Sequence, residues 1–282
     1  METLQELESL RREAERCATP CGEGTVVWHR WGARGGKPVL LLHGGSGSWT
    51  HWVRNIEPLV RDGHAVWVPD LPGFGDSAAP PDGRDANVLP AWLERGLAAW
   101  IGTQPVDLVG FSFGGLVAGL WGQAVPARVA RLVLVGSPGL SAELLPPLDL
   151  RRWDLQPAGP ASLAAHRHNL LQLMLANEAS ATELAVTLHA HNVERDRLRR
   201  RRLMLTDALV PVLAALHCPV HGIWGAQDVL YRHRLPLIRQ VLSSAPGFQS
   251  LELLPDAGHW VQFEAAETFN AALARALHGT AG

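Results

Sequence analysis

The chain has 282 residues, of which 47% are hydrophobic and 18% charged, and its formal net charge is −2 at pH 7. This length suits one large α/β domain, with or without an inserted subdomain, and the near-neutral charge gives no reason to expect nucleic acid or an anionic membrane as a partner. The acidic N-terminus has no visible signal peptide, and no apolar run approaches the roughly 18 residues of a membrane span. We therefore expect a cytoplasmic protein that acts on a small-molecule substrate.

Residues 1–20 are predicted to form an N-terminal helical segment. A charged helix is indicated over residues 2–16, with a narrow apolar stripe made of Leu4, Leu7, Leu10 and Ala14. We expect this helix to pack on the main domain or to contribute to a homodimer. The nearby Cys17 and Cys21 make no disulfide framework with Cys218, and reduced thiols are favoured over a clip or a metal site.

Short apolar runs then alternate with helix-like segments. Strands are predicted at residues 25–31 (an edge strand), 38–42, 65–68, 106–109 and 131–135, and helices near residues 52–61, 87–101 and 112–123. Such alternation is typical of right-handed βαβ units in a doubly wound, mostly parallel sheet. We predict an α/β core made of residues 21–139 and 217–282.

The alternation stops after Gly139. Residues 140–216 contain no convincing strand, and the pattern indicates helical blocks at residues 161–176, 181–205 and 206–216. A helical stretch of this length between two strands predicts an inserted cap over the functional site. Caps of this kind exclude water and shape a substrate pocket.

A possible nucleophile lies where the apolar run Val106–Val109 ends. The segment Gly110-Phe111-Ser112-Phe113-Gly114 matches the G-x-S-x-G pattern of a nucleophile elbow, in which a tight strand-to-helix turn exposes a serine. The pattern alone is weak evidence, because a chain this rich in glycine can match it by chance. A serine hydroxyl also needs a base and a carboxylate that holds the base.

Residues of the required types follow other predicted strands. Asp228 comes after the run at 219–224, and His259 comes after the run at 251–254. Upstream, residues 43–48 form the glycine-rich turn His-Gly-Gly-Ser-Gly-Ser, which is free to direct a backbone N–H at an oxyanion. Asp256 is an alternative acid, although it would have to reach the imidazole across its own loop.

These elements, in this order, resemble the α/β-hydrolase family from about residue 24 to about residue 277. The resemblance implies that Ser112 is the nucleophile, His259 the base and Asp228 the acid. It further implies an oxyanion hole made by the backbone N–H groups of Gly45 and Phe113. Neither a metal nor an organic cofactor is implied.

Several residues near these turns are candidates for the pocket wall. Trp49, Phe111 and Trp260 flank the predicted catalytic turns, and they either line an apolar pocket or belong to the scaffold. Arg195 is the cap residue that we expect to point inward, with a surface arginine as the alternative. The run at residues 199–202 contains four arginines and is interpreted as a solvated helix face.

A narrower resemblance concerns the reaction. Residues 257–264, 268–270 and 52–60 are similar to the meta-cleavage product hydrolases, which hydrolyse a carbon–carbon bond in vinylogous diketo acids. That family usually has asparagine before the serine, where this chain has Phe111, and an apolar residue there favours an apolar acyl group. The first expectation is therefore a carboxylic-ester hydrolase with an apolar acyl group. Carbon–carbon hydrolysis is the alternative, and a non-catalytic ligand-binding fold is a lower one.

Overall fold

A computed structural model describes residues 3–142, 147–198 and 200–279 of the chain. Its eight strands form one sheet: β1 Glu15–Cys21, β2 Gly24–Trp31, β3 Lys37–Leu42, β4 His64–Pro69, β5 Val106–Phe111, β6 Val129–Val135, β7 Val220–Gly225 and β8 Phe248–Leu254. The strand order is β1-β2-β4-β3-β5-β6-β7-β8. All neighbouring pairs are parallel except β1 with β2 and β2 with β4. The predicted doubly wound, mostly parallel α/β sheet is confirmed.

Ten α-helices surround or extend this sheet: α1 Leu4–Glu13, α2 Ile56–Arg61, α3 Leu89–Ile101, α4 Phe113–Ala124, α5 Pro160–Leu173, α6 Glu183–Glu194, α7 Leu209–Ala214, α8 Leu235–Leu242, α9 Val261–Glu264 and α10 Ala266–His278 in the described residues. Successive side chains of β3 enter opposite hydrophobic cores. Leu40 packs in the core that contains Trp121 of α4, whereas Leu41 packs in the core that contains Phe269 of α10. Burial on both faces explains why the central strands have continuous apolar runs.

The N-terminal segment differs from the prediction. Helix α1 begins with a capping box between Thr3 and Glu6 and ends at Glu13, and β1 then pairs with β2 as the outermost strand. The strand at residues 24–31 is therefore not the edge strand that we expected. β1 is charged at its start and half exposed, so its sequence lacks the alternation that marks a half-buried strand, and the backbone ladder with β2 supplies its pairing.

The predicted cap region holds α5, α6 and α7, with no strand in its described residues. The helix expected at residues 181–205 ends at Glu194, because the following backbone bonds to the core instead of to itself. The Arg197 N–H donates to the Gly73 carbonyl over 2.9 Å, and its guanidinium binds further carbonyls of the same turn, including that of Gly75. Residues 143–146 and Arg199 lie outside the described ranges.

Among the described residues, no helix is both long and apolar enough to cross a bilayer. The same residues contain no group of three or more histidine, cysteine or acidic side chains arranged to hold a metal ion. Cys17, Cys21 and Cys218 are all free thiols.

The packing of α3 against the first two strands makes a prediction about stability. A Cβ on Gly96 would lie 2.4 Å from the Trp28 ring and 2.8 Å from Thr19 Oγ1, which accepts the Trp28 indole N–H. Overpacking of about 1–3 kcal/mol should outweigh the gain of about 1 kcal/mol that alanine brings inside a helix. We expect Gly96→Ala to lower the free energy of unfolding in urea titrations. Gly35→Ala, which has open space around it, is the matched control and should leave stability nearly unchanged.

Candidate active site

Ser112 lies at a strained turn between β5 and α4. Its φ is +48°, a value that non-glycine residues rarely adopt, and its N–H donates to the Val135 carbonyl over 2.7 Å. The turn is possible because glycines flank it. A Cβ on Gly110 would lie 2.5 Å from the Gly114 carbonyl oxygen, and a Cβ on Gly114 would lie 2.4 Å from that of Leu42. The close approach lifts the Ser112 side chain above the carboxyl edge of the sheet.

Ser112, His259 and Asp228 form one hydrogen-bonded chain. Ser112 Oγ lies 2.9 Å from His259 Nε2, and His259 Nδ1 lies 2.8 Å from Asp228 Oδ2. The other oxygen of Asp228 accepts the Leu230 N–H, so the carboxylate is fixed just beyond β7. Since both the imidazole and the carboxylate are buried, the pair is shielded from water. This arrangement suits the removal of a proton from the serine hydroxyl.

The structure pairs the imidazole with Asp228 and not with the alternative acid. Asp256 is exposed at the tip of the loop before His259, and its carbonyl accepts a hydrogen bond from the Asn177 side chain. His259 Nδ1 is already occupied by Asp228, which reaches it from the neighbouring loop.

The two residues expected to form an oxyanion hole are Phe113, which directly follows Ser112, and Gly45. Phe113 is the first residue of α4, so its N–H has no acceptor within the helix. Gly45 and Ser112 line the same cavity. Two buried imidazoles hold the turn around Gly45: His43 Nε2 accepts the Leu71 N–H over 2.8 Å, and His51 Nδ1 accepts the Gly44 N–H over 3.2 Å.

Both imidazoles are uncharged. Burial lowers the pKa of His43 to about 4 and lowers the pKa of His51 well below its usual value. Because Nδ1 of His51 accepts a hydrogen bond, the ring proton of the neutral form is on Nε2. His189 also lines the cavity, and burial lowers its pKa to about 3. The cavity therefore presents neutral imidazoles beside the candidate nucleophile.

A second contact fixes the glycine-rich turn from the cap side. Ser46 has a φ of +50°, and its hydroxyl donates to Asp196 Oδ2 over 2.6 Å. Arg201 Nη1 donates to the same oxygen over 2.7 Å, and its guanidinium lies over the Phe113 ring at 5.6 Å. A Cβ on Gly45 would lie 3.4 Å from this guanidinium. We call Ser46, Asp196 and Arg201 the turn clamp.

The turn clamp was missed by the sequence analysis, which interpreted residues 199–202 as a solvated helix face. That interpretation is wrong at Arg201, whose side chain is only 16% exposed and faces the cavity. An arginine run without helical periodicity gives no information about which member points inward. Asp196, the carboxylate nearest to that run in the sequence, was the available signal, because a buried arginine needs an anionic partner.

The cavity above Ser112 has a volume of about 560 Å³ and lies between the sheet edge and the cap. Its wall combines apolar side chains with arginines and histidines. The apolar part includes Phe111, Leu148, Leu150, Leu173, Met174, Met204 and Leu230. The polar part includes the neutral imidazoles of His51 and His189 and the side chains of Arg151, Arg152 and Arg201, of which Arg152 pairs with Asp154 and Arg201 with Asp196. The cavity therefore accepts a molecule with an apolar region and a polar or anionic region.

Of the residues predicted for the pocket wall, only Phe111 lies on it. Trp260 lies behind the side chains that form the cavity wall. Its indole N–H donates to the His51 carbonyl, and its ring stacks on that of Phe263 with the centroids 4.2 Å apart. Trp49 and Arg195 line a different cavity. The Arg195 guanidinium points to the far side of α6, where it forms an ion pair with Asp76 over 2.6 Å.

Comparison with known proteins agrees with this architecture. Residues 37–181 match the model of the α/β-hydrolase fold family. A 2-hydroxy-6-oxo-6-phenylhexa-2,4-dienoate hydrolase from Burkholderia cepacia is 29% identical over 250 residues, covering 83% of this chain and 85% of the relative. A meta-cleavage product hydrolase from Pseudomonas fluorescens IP01 superposes with a TM-score of 0.76 at 22% identity, covering 93% and 97% of the two chains. A carboxylesterase from Bacillus subtilis gives 0.77 at 20% identity, covering 97% and 94%.

The match to the family model spans just over half of the chain, and the mostly parallel sheet is consistent with the fold that it describes. The chain belongs to the α/β-hydrolase family. The expected resemblance to the meta-cleavage product hydrolases is confirmed by the relatives.

The geometry around His259 makes a prediction about the acid. Asp228→Asn should preserve the fold and lower kcat by about 10⁴, because an amide favours the wrong imidazole tautomer. Asp256→Asn is the matched control and should change kcat little, since its side chain makes no hydrogen bond to His259. Steady-state kinetics with circular dichroism as a check on folding would test this ranking. The reverse ranking would mean that the acid lies in the other loop.

Proposed function

We propose that the protein is a serine hydrolase in which Ser112 is the nucleophile, His259 the base and Asp228 the orienting acid. The observation that carries this proposal is the continuous hydrogen-bonded chain of these three side chains at the floor of a large cavity. The N–H groups of Gly45 and Phe113 are proposed to bind the oxyanion.

For the substrate, we propose a 2-hydroxy-6-oxo-dienoate acid whose carbon–carbon bond is hydrolysed. The similarity to hydrolases of this class over most of the chain supports this proposal. The mixed character of the cavity also supports it. Such a substrate has an apolar acyl part, suited to the Phe111 side, and a carboxylate, suited to the arginines at 151 and 201. This choice replaces the ester as the leading candidate.

The three proposed catalytic groups account for the addition, cleavage and hydrolysis steps of this reaction. Ser112 Oγ adds to the ketone carbon while His259 takes its proton, and the resulting oxyanion faces the two backbone N–H groups. The substrate must reach this step as its keto tautomer, in which the proton of the 2-hydroxyl has moved to the carbon beside the ketone. The bond between that carbon and the former ketone carbon then breaks, and its electron pair delocalises over the resulting dienolate. His259 returns the proton to the dienolate oxygen. Water, deprotonated by His259, releases the acyl group as an acid and restores Ser112.

Hydrolysis of a carboxylic ester with an apolar acyl group is the second candidate. The observation that favours it is Phe111, which is fully buried beside the His259 ring at a centroid distance of 5.1 Å and offers no hydrogen bond. An apolar wall at this place suits an acyl chain better than a polar keto acid. The same three residues would act, with an alkoxide as the leaving group.

The proposed nucleophile can be tested directly. An organophosphonate should label wild-type protein once, at Ser112, because an activated hydroxyl is trapped in a tetrahedral adduct. Intact-protein mass spectrometry would measure the mass gain, and Ser112→Ala is the control that should remain unlabelled. Unmodified wild type would instead favour the ligand-binding fold without catalysis.

A substitution at Phe111 separates the two substrate classes. We expect wild type to have a higher kcat/KM on a 2-hydroxy-6-oxo-dienoate than on p-nitrophenyl esters. Phe111→Asn should raise kcat/KM on the dienoate, because the amide adds a hydrogen-bond donor for the polar keto acid. On esters it should lower kcat/KM, because the unpaired amide would lie against the acyl chain. The decrease should be about tenfold for each 1.4 kcal/mol of transition-state stabilisation that is lost. Phe111→Leu, which adds no donor, is the matched control. Faster turnover of the ester by wild type would reject the dienoate in favour of the second candidate.

A further inference from the structure

A second cavity of about 450 Å³ lies between α1, α6 and the short 3₁₀ helix at Trp49–Trp52. It shares no lining residue with the cavity above Ser112. It contains Trp49 and Arg195, which the sequence singled out and which the candidate active site does not use. Nothing in the proposed hydrolysis requires this space.

One wall of the second cavity is aromatic and apolar. The rings of His29 and Trp49 line this wall and lie 5.3 Å apart between centroids. The Trp31 ring, which is not part of the lining, contacts both at 5.4–6.0 Å, and all three residues are at least nine-tenths buried. Leu4 of α1, which also lines the cavity, remains 40% exposed. An aromatic face opposite an uncovered leucine suits a flat apolar group.

The other wall has an excess of positive charge. Asp76 accepts hydrogen bonds from Arg195 over 2.6 Å and from Arg16 over 3.1 Å, so two guanidinium groups share one carboxylate. The other charged residues of the lining, Glu8 and Arg11, form an ion pair over 3.5 Å, so their charges offset each other. His191 adds no charge, because burial and the nearby Arg195 lower its pKa. The charged residues of the lining are three arginines and two carboxylates, so the lining has a net charge of +1.

The two walls are fixed relative to each other by one buried side chain. Asp70 is fully buried, and its two oxygens accept the Trp49 N–H over 2.9 Å and the Asp76 N–H over 2.8 Å. The aromatic wall and the shared carboxylate are thereby held in place before any ligand arrives. Preorganisation of this kind reduces the cost of ordering a binding site.

We propose that the second cavity is a binding site for a small aromatic carboxylate. The carboxylate lies against Arg16 and Arg195, where it neutralises the excess charge, and the ring lies against Trp49. Charge-assisted hydrogen bonds to guanidinium groups are stronger than neutral ones. The Arg195 side chain is 25% exposed and that of Arg16 is 60% exposed. This site is independent of the proposed hydrolysis, so either proposal can fail without the other.

Benzoate is a suitable probe, and benzamide is its uncharged counterpart of the same shape. Isothermal titration calorimetry at millimolar ligand should detect benzoate binding to wild type and much weaker binding of benzamide. Arg195→Ala should weaken benzoate binding at least tenfold. Arg167→Ala is the matched control, since this arginine also lies on the cap, pairs with Glu178 and lines neither cavity.

Two space-filling variants locate the site without removing a charge. Thr187→Trp fills the second cavity and should abolish benzoate binding, whereas Met204→Trp fills the cavity above Ser112 and should leave it unchanged. Circular dichroism would verify that each variant is folded. If Arg195→Ala does not fold, Thr187→Trp still tests whether benzoate binds in the second cavity. Three results would overturn the proposal: no benzoate binding to wild type, equal binding of benzamide, or loss of binding in Met204→Trp but not in Thr187→Trp.

Discussion

The backbone contact between the end of β5 and the first turn of α4 determines where the chemistry can occur. Neither Gly110 nor Gly114 has room for a side chain, and Ser112, the middle one of the three residues between them, has a positive φ. Ser112 accepts that conformation and its hydroxyl meets His259 at 2.9 Å. A strained residue persists only where the surrounding structure holds it, and here β6 does so through the Val135 carbonyl. The cavity and the acid are positioned relative to this one turn.

The sheet and the candidate triad were predictable because each depends on local pattern. Continuous apolar runs marked the buried strands, and a parallel sheet brings the carboxyl ends of its strands to one edge. Ser112, Asp228 and His259 each follow such a run, and the resemblance to the α/β-hydrolase family implied their roles. Asp228 was also preferred over Asp256 from the sequence, and the structure shows Asp228 beside Nδ1 of the imidazole.

Other features depend on contacts between distant segments and could not be predicted from local pattern. The charged strand β1 is stabilised by backbone hydrogen bonds to β2. Such bonds do not depend on the side chains, so the sequence of β1 has no clear strand pattern. Arg195 and Arg201 are six residues apart in one irregular segment, yet Asp76 binds the first and Asp196 the second. Helical periodicity assigns directions to side chains only within a helix, and α6 has already ended there.

The turn clamp has a consequence for how interchangeable the inserted helices are. Ser46 holds a conformation that costs on the order of 1–3 kcal/mol, and its hydroxyl is bonded to Asp196, which belongs to the insertion. The insertion is thus a structural support of the glycine-rich turn as well as a cover for the cavity. A chimera that received the helices of another family member would need an acceptor at the place of Asp196. Without one, the graft would alter the geometry beside Gly45 even if every core residue were retained.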